Sequence, residues 1–118
     1  MANKKERINP MVIRDSETSE VYTLEFTRDT VRWAESRGFD ASQISTYPMT
    51  RIPELFFYAF RKNHKNVARS KTDELLFDKL GGLQPEYLER LMQLYTQPYD
   101  SVITDESAEK NAKVVVEL

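Results

Sequence analysis

The stretch YPMTRIPELFFYAFRKNH, residues 47–64, limits what this chain can fold into more than any other. Leu55, Phe56, Phe57, Tyr58, Ala59 and Phe60 form an unbroken apolar run, followed at once by basic residues and His64. Pro48 biases Tyr47 away from helical backbone, and Thr50 is suited to cap a helix. Pro53 then falls in the first turn, where its missing N–H removes no intrahelical bond. The sequence therefore predicts a helix over about 51–64. Placed on a helical wheel, its apolar side covers an arc of about 200°, against about 100° for an ordinary surface helix. One neighbour cannot cover that arc, so the helix is either central in the fold or meets a second chain. Ile52, Leu55, Phe56 and Ala59 read as core. Phe57, Tyr58, Phe60, Arg61 and His64 read as a flank that binds a partner.

The rest of the chain supplies a small frame for this helix. MVI (11–13) and EVYTLEF (20–26) flank the polar loop DSETS (15–19). Alternation puts Tyr22, Leu24 and Phe26 on one face, which predicts a β-hairpin whose apolar face packs on helices. Thr27 and Gly38 bracket a helix over about 28–37, with Val31 and Ala34 inward. Residues 40–48 form a loop anchored by Ile44. TDELLFDKL, from Thr72, predicts a helix that buries Leu76, Phe77 and Leu80 and stops at Gly81-Gly82. In QPEYLERLMQLYTQ (84–97), Pro85 suits the first helical position. Tyr87, Leu88, Leu91, Met92, Leu94 and Tyr95 lie on one side of that helix, and Glu86, Glu89, Arg90 and Gln93 on the other. Tyr99, Val102 and Ile103 read as a last packing segment.

The expected fold is mainly α (α+β), an N-terminal β-hairpin packed on a compact bundle of about four helices. The expected organisation is a flexible N-terminus at 1–9, one domain at 10–103, and a polar C-terminal tail at 104–118. The tail ends in the apolar VVVEL, either a frayed end or a strand added to a neighbour's sheet edge.

Charged residues make up 31% of the chain, but the net charge is only −2, which argues against bulk attraction to nucleic acid or to an anionic membrane. With no cysteine there is no disulfide framework, thiolate metal site or cysteine nucleophile. No apolar stretch reaches the roughly 18 residues that span a bilayer, and MANKKERINP lacks the apolar core of a secretion signal. A soluble, cytoplasmic protein is expected. His64 is the single histidine and has no nucleophile or acid cluster at a telling spacing. No carboxylate pair sits in an apolar context, and three glycines do not make a phosphate-cradling loop. No catalytic residue, cofactor or metal site is expected, and the protein is read as a non-enzyme. RKNHKNVARSK (61–71) holds five basic residues and no acid. That run is either a solvated helix end or a grip for an acidic partner or for phosphates. The alternative function on this basis is a small nucleic-acid-binding regulator.

Three segments in this order resemble a known family: YTLEFTRDTVRWAESRGFD (22–40), YPMTRIPELFFYAFRKNHKNV (47–67) and LERLMQLYTQPYDSV (88–102). Together they resemble the tail assembly chaperones of siphophages and prophages, small proteins encoded between the tail tube protein and the tape measure protein. The central segment carries most of the resemblance, through the pattern of Pro-Met-Thr, Ile-Pro, Leu-Phe, Ala-Phe and Asn-His. The family often has a small residue where this chain has Tyr58. The resemblance implies a protein that binds the tape measure protein, keeps it soluble and helps recruit the tail tube protein. It also implies a homo-oligomer in the host cytoplasm that is absent from the mature virion. A structural tail component is the second reading within the same setting. Phe57, Tyr58, Phe60, Arg61 and His64 would then meet an apolar stripe on a helix of the client.

Overall fold

A computed structural model describes residues 7–103 and 113–118. It has an α+β fold, a two-stranded antiparallel hairpin followed by four helices. Strand β1 (Met11–Arg14) pairs with β2 (Val21–Leu24), Met11 opposite Leu24 and Arg14 opposite Val21. Alternation decides which face is wet. Tyr22, Leu24 and Phe26 are buried, and Met11 and Ile13 pack partly against the same core cluster. At the turn, Asp15 Oδ1 accepts from the N–H groups of Glu17 and Thr18, and Ser19 takes a left-handed φ of 67°.

Helix α1 (Arg28–Ser36) starts at a capping box between Thr27 and Thr30 and gives way to Gly38, at a φ of 90°. Helix α2 (Pro48–Tyr58) departs from expectation at both ends. Tyr47, not Thr50, is its N-cap, and the Tyr47 carbonyl accepts from the Arg51 N–H at 2.9 Å. Pro48 takes the first helical position, so Pro53 lies in the second turn. There it leaves the Met49 carbonyl without its helical donor, a local cost that the surrounding core must outweigh. The helix ends at Tyr58, with Ala59 as its C-cap, instead of running to 64. Phe60 therefore lies in the turn beyond the helix, not on its side. α2 is the central element and touches helices α3 (Arg69–Asp73) and α4 (Pro85–Thr96) and the short 3₁₀ turn Ala41–Gln43. Leu55, Phe56, Tyr58, Ala59 and Phe60 are all buried. The wide apolar arc is thus covered largely within one chain.

Helix α3 runs on into a π-helical segment, Glu74–Lys79, in which the Leu80 N–H bonds the Leu75 carbonyl at 2.8 Å. The wider i→i+5 turn rotates later side chains away from the core. Leu75 and Leu76 are buried, while Phe77 and Leu80 are 51% and 40% exposed, which corrects the predicted Leu76, Phe77 and Leu80 face. On α4 the buried side chains are Leu91, Leu94 and Tyr95, with Leu88 packed at the margin and Tyr87 and Met92 exposed on the flanks. Of the predicted last packing segment, Tyr99 packs on the core, and Val102 and Ile103 are exposed.

Residues 7–9 make contacts with the domain. The Ile8 N–H donates to the Gln97 side chain, Arg90 Nη1 donates to the Asn9 carbonyl at 3.3 Å, and Ile8 packs on the core. The rest of the predicted flexible N-terminus, 1–6, and the polar part of the tail, 104–112, lie outside the described residues.

The hairpin turn is anchored to the π-helical segment by charge. Lys79 Nζ lies 2.6 Å from Asp15 Oδ2 and 3.2 Å from Glu17 Oε1. The Lys79 hydrogen bond, helped by the Glu17 and Thr18 N–H groups, outweighs burial and lowers the Asp15 pKa from 3.8 to about 2. Lys79 is shifted upward by the same bond. A carboxylate whose folded pKa is depressed stabilises the fold above its unfolded pKa, and that stability is lost as pH falls through the folded value. The midpoint of urea unfolding should therefore fall between about pH 4 and pH 2. Asp15→Asn should flatten that slope. An unchanged slope in Asp15→Asn would remove Asp15 as its source.

Candidate functional site

The 59–64 segment closes the open edge of the hairpin. In the β1–β2 ladder, alternate residues of β2 turn their backbone groups away from β1. Thr23 is such a residue, and Glu25, directly after β2, continues the alternation. The Thr23 N–H donates to His64 Nε2 at 2.9 Å, and the Thr23 carbonyl accepts from Asn63 Nδ2 at 3.0 Å. The Glu25 N–H donates to the Ala59 carbonyl at 3.1 Å. Two side chains and one backbone carbonyl thus stand where a third strand would pair. As an acceptor at Nε2, the neutral His64 ring carries its proton on Nδ1. Its ring sits edge-on to Tyr22 at 5.3 Å.

Glu25 completes this clip. Its carboxylate is buried and meets Asn63 Nδ2 at 2.9 Å, Lys62 Nζ at 3.0 Å and, more distantly, Arg7 at 3.9 Å. The Asn63 hydrogen bond, followed by the Lys62 contact, lowers its pKa against the opposing effect of burial. Lys62 is thereby neutralised. Arg69 likewise pairs with Asp73 at 3.0 Å, and Lys71 lies near Glu74 and Glu20. Three of the five cations of the 61–71 run are therefore engaged by acids.

The predicted partner-binding set divides accordingly. Phe60 is a core residue, 1% exposed, with ring centroids 5.2 Å from Phe56 and 5.4 Å from Tyr22. Tyr58 is also buried, edge-on to Trp33 at 5.3 Å and to Phe39 at 5.4 Å. His64 is occupied by the β2 edge. These three residues are committed inside the chain, because α2 ends early and its C-terminal turn folds back onto the hairpin. Phe57 and Arg61 remain only half-buried.

Around those two the structure adds residues that the sequence reading left out. Trp33, half-buried on α1, lies 6.2 Å from Phe57, ring to ring. The Arg61 guanidinium stands 4.2 Å from the Trp33 ring centre and Arg37 stands 5.1 Å from it. Arg69 lies 5.9 Å from the Phe57 ring. Both rings are thus stacked by cations, an arrangement that leaves guanidinium N–H groups available at the rim. Among the described residues, neither Arg37 nor Arg61 forms an ion pair with a carboxylate. The i, i+4 spacing of Trp33, on α1, and Arg37, its C-cap, was a legible sign of this face. The approach of Arg61 from the turn after α2 was not.

Among the described residues, no group of histidine and acidic side chains could hold a metal ion, and no helix is long and apolar enough to cross a membrane. No curated protein and no solved structure matches the chain. A family model does match, over residues 1–118, and the chain belongs to that family, described as a domain of unknown function, DUF5055.

Proposed function

We propose that this protein is a phage tail assembly chaperone that binds the tape measure protein through the surface formed by Trp33, Phe57, Arg37, Arg61 and Arg69. The observation that carries this reading is the half-buried Trp33 ring, beside Phe57, stacked by two arginines, Arg37 and Arg61, that form no ion pair with a carboxylate among the described residues. Aromatic rings and arginine are the side chains that most often anchor protein interfaces. The surface suits a client helix with an apolar stripe and flanking carboxylates, which would complete the charge of Arg37 and Arg61. The resemblance of residues 22–102 to tail assembly chaperones supplies the client's identity. Within that reading the protein acts in the host cytoplasm and leaves before the virion is complete.

Co-expression with the tape measure protein encoded beside it tests the proposal. The client should remain soluble and co-purify with the wild-type chain. Phe57→Asp and Arg61→Glu should each weaken capture about tenfold or more. Each variant should keep a cooperative thermal transition, because both side chains are half-exposed. A client that stays insoluble with the wild type, or is captured equally well by both variants, overturns the assignment.

A further inference from the structure

The hairpin has a second edge, and no backbone partner for it occurs among the described residues. Asp15 N–H bonds the Glu20 carbonyl at 2.8 Å, and the groups turned away from β1 on the partner strand and its continuation include those of Thr23 and Glu25. The same alternation turns the N–H and C=O groups of Val12 and Arg14 away from β2, because these residues lie opposite Thr23 and Val21. No partner for them occurs among the described residues. The side chains along this edge are also incompletely covered. Val12 is 55% exposed, and Met11 and Ile13 are only partly buried on the inner face. Natural sheets rarely leave such an edge unprotected.

The same chain carries a segment suited to fill it. Val114, Val115 and Val116 are between 65% and 77% exposed, and Glu117 and Leu118 follow them. Three consecutive β-branched residues favour extended backbone and fit a pleated surface. Among the described residues of one chain both the edge and this segment lie uncovered, so each has its complement available on another copy.

We propose that residues 113–118 of one copy add as a strand to the free edge of β1 in a second copy. A parallel alignment places Val115 beside Val12 and Glu117 beside Arg14 on the outer face. Val114 and Val116 then lie on the inner face, over the half-covered Met11 and Ile13. Backbone hydrogen bonds supply the attraction, and the alternating side chains fix the register. The complementary charges of Glu117 and Arg14 favour this register over the antiparallel one that would set Glu117 beside Val12.

Sedimentation of the 118-residue chain over a range of concentrations tests the proposal. Wild type should self-associate. Val12→Pro should weaken that association about tenfold or more, because it removes an outward N–H. The β1–β2 ladder does not use that N–H, so far-ultraviolet circular dichroism should be preserved. A Val114→Asp, Val116→Asp double variant should have the same effect from the other side, and it carries the test alone if Val12→Pro does not fold. Mixing these two variants should restore association, since one supplies an intact edge and the other an intact tail. Arg14→Glu should weaken association, and adding Glu117→Arg should recover it. A wild type that stays monomeric throughout overturns the proposal. So does association that survives the tail variant, or a mixture with a folded Val12→Pro variant that stays monomeric.

Discussion

Phe60→Ala is expected to destabilise the fold by about 3–5 kcal/mol, the usual cost of emptying a buried phenylalanine site. The ring is 1% exposed and held between Tyr22, Phe56 and the His64 ring, with centroids 5.4, 5.2 and 6.2 Å away. Those neighbours belong to β2, α2 and the edge-covering turn, three parts that cannot all move inward to fill the space. A domain of this size has roughly 5–15 kcal/mol in total, so the melting temperature should drop by more than about 10 °C. Phe57→Ala provides the comparison. That ring is half-buried, and its truncation should cost less than about 2 kcal/mol. Urea unfolding of the two variants under one set of conditions decides the matter. Equal losses, or a larger loss for Phe57→Ala, would reverse the division between core and surface drawn along this segment.

That division was only partly legible in the sequence, and the reason is local. Pro48 and Pro53 each have a reasonable place at a helix start, and a wheel drawn from residue 51 to 64 follows if Pro53 is given the role. The chain instead uses Pro48 and tolerates Pro53 one turn later. The helix then ends at Tyr58, and Phe60 belongs to a turn, where a wheel does not apply. The π-helical segment has a similar effect. Leu75 and Leu76 fit an α-helical or a π-helical reading equally well, and the π-helical hydrogen bonding of Glu74–Lys79, closed by the Leu80-to-Leu75 bond, shows which turn is made. By contrast, the hairpin, α1 and α4 were legible because their signals are redundant: strict alternation, a capping threonine, and complete segregation of apolar from polar residues.

His64 marks a different limit. Its neighbours in sequence are basic, so the segment reads as a charged surface. Its partner, the Thr23 N–H, is 41 residues away. A lone histidine that serves as a backbone acceptor, beside an asparagine that serves as a donor, leaves no periodic signature. The same holds for Trp33. Its spacing from Arg37 was visible, but the candidate surface exists only because the turn after α2 brings Arg61 over the ring.

Leu91→Asp should abolish cooperative unfolding at pH 7, and the way it recovers with pH identifies the cause. Leu91 has no exposure on the inner face of α4, where that helix meets α2. Truncating such a leucine costs about 2–5 kcal/mol, and an unpaired buried carboxylate adds several more. Together these approach or exceed the stability of a small domain. Leu91→Asn removes the same packing but adds no charge, so it should be weakened without being lost. Burial would raise the folded pKa of an aspartate at this site above its unfolded value of about 4. A raised carboxylate pKa makes stability fall as pH rises through the unfolded value, the opposite sign to Asp15. The gap between the two variants should therefore narrow from pH 7 to about pH 4.5, while any loss common to both cancels in the comparison. A gap that stays constant with pH would mean that the side chain at 91 reaches water. A cooperative Leu91→Asp variant near wild-type stability at pH 7 would mean that α4 does not close the core against α2.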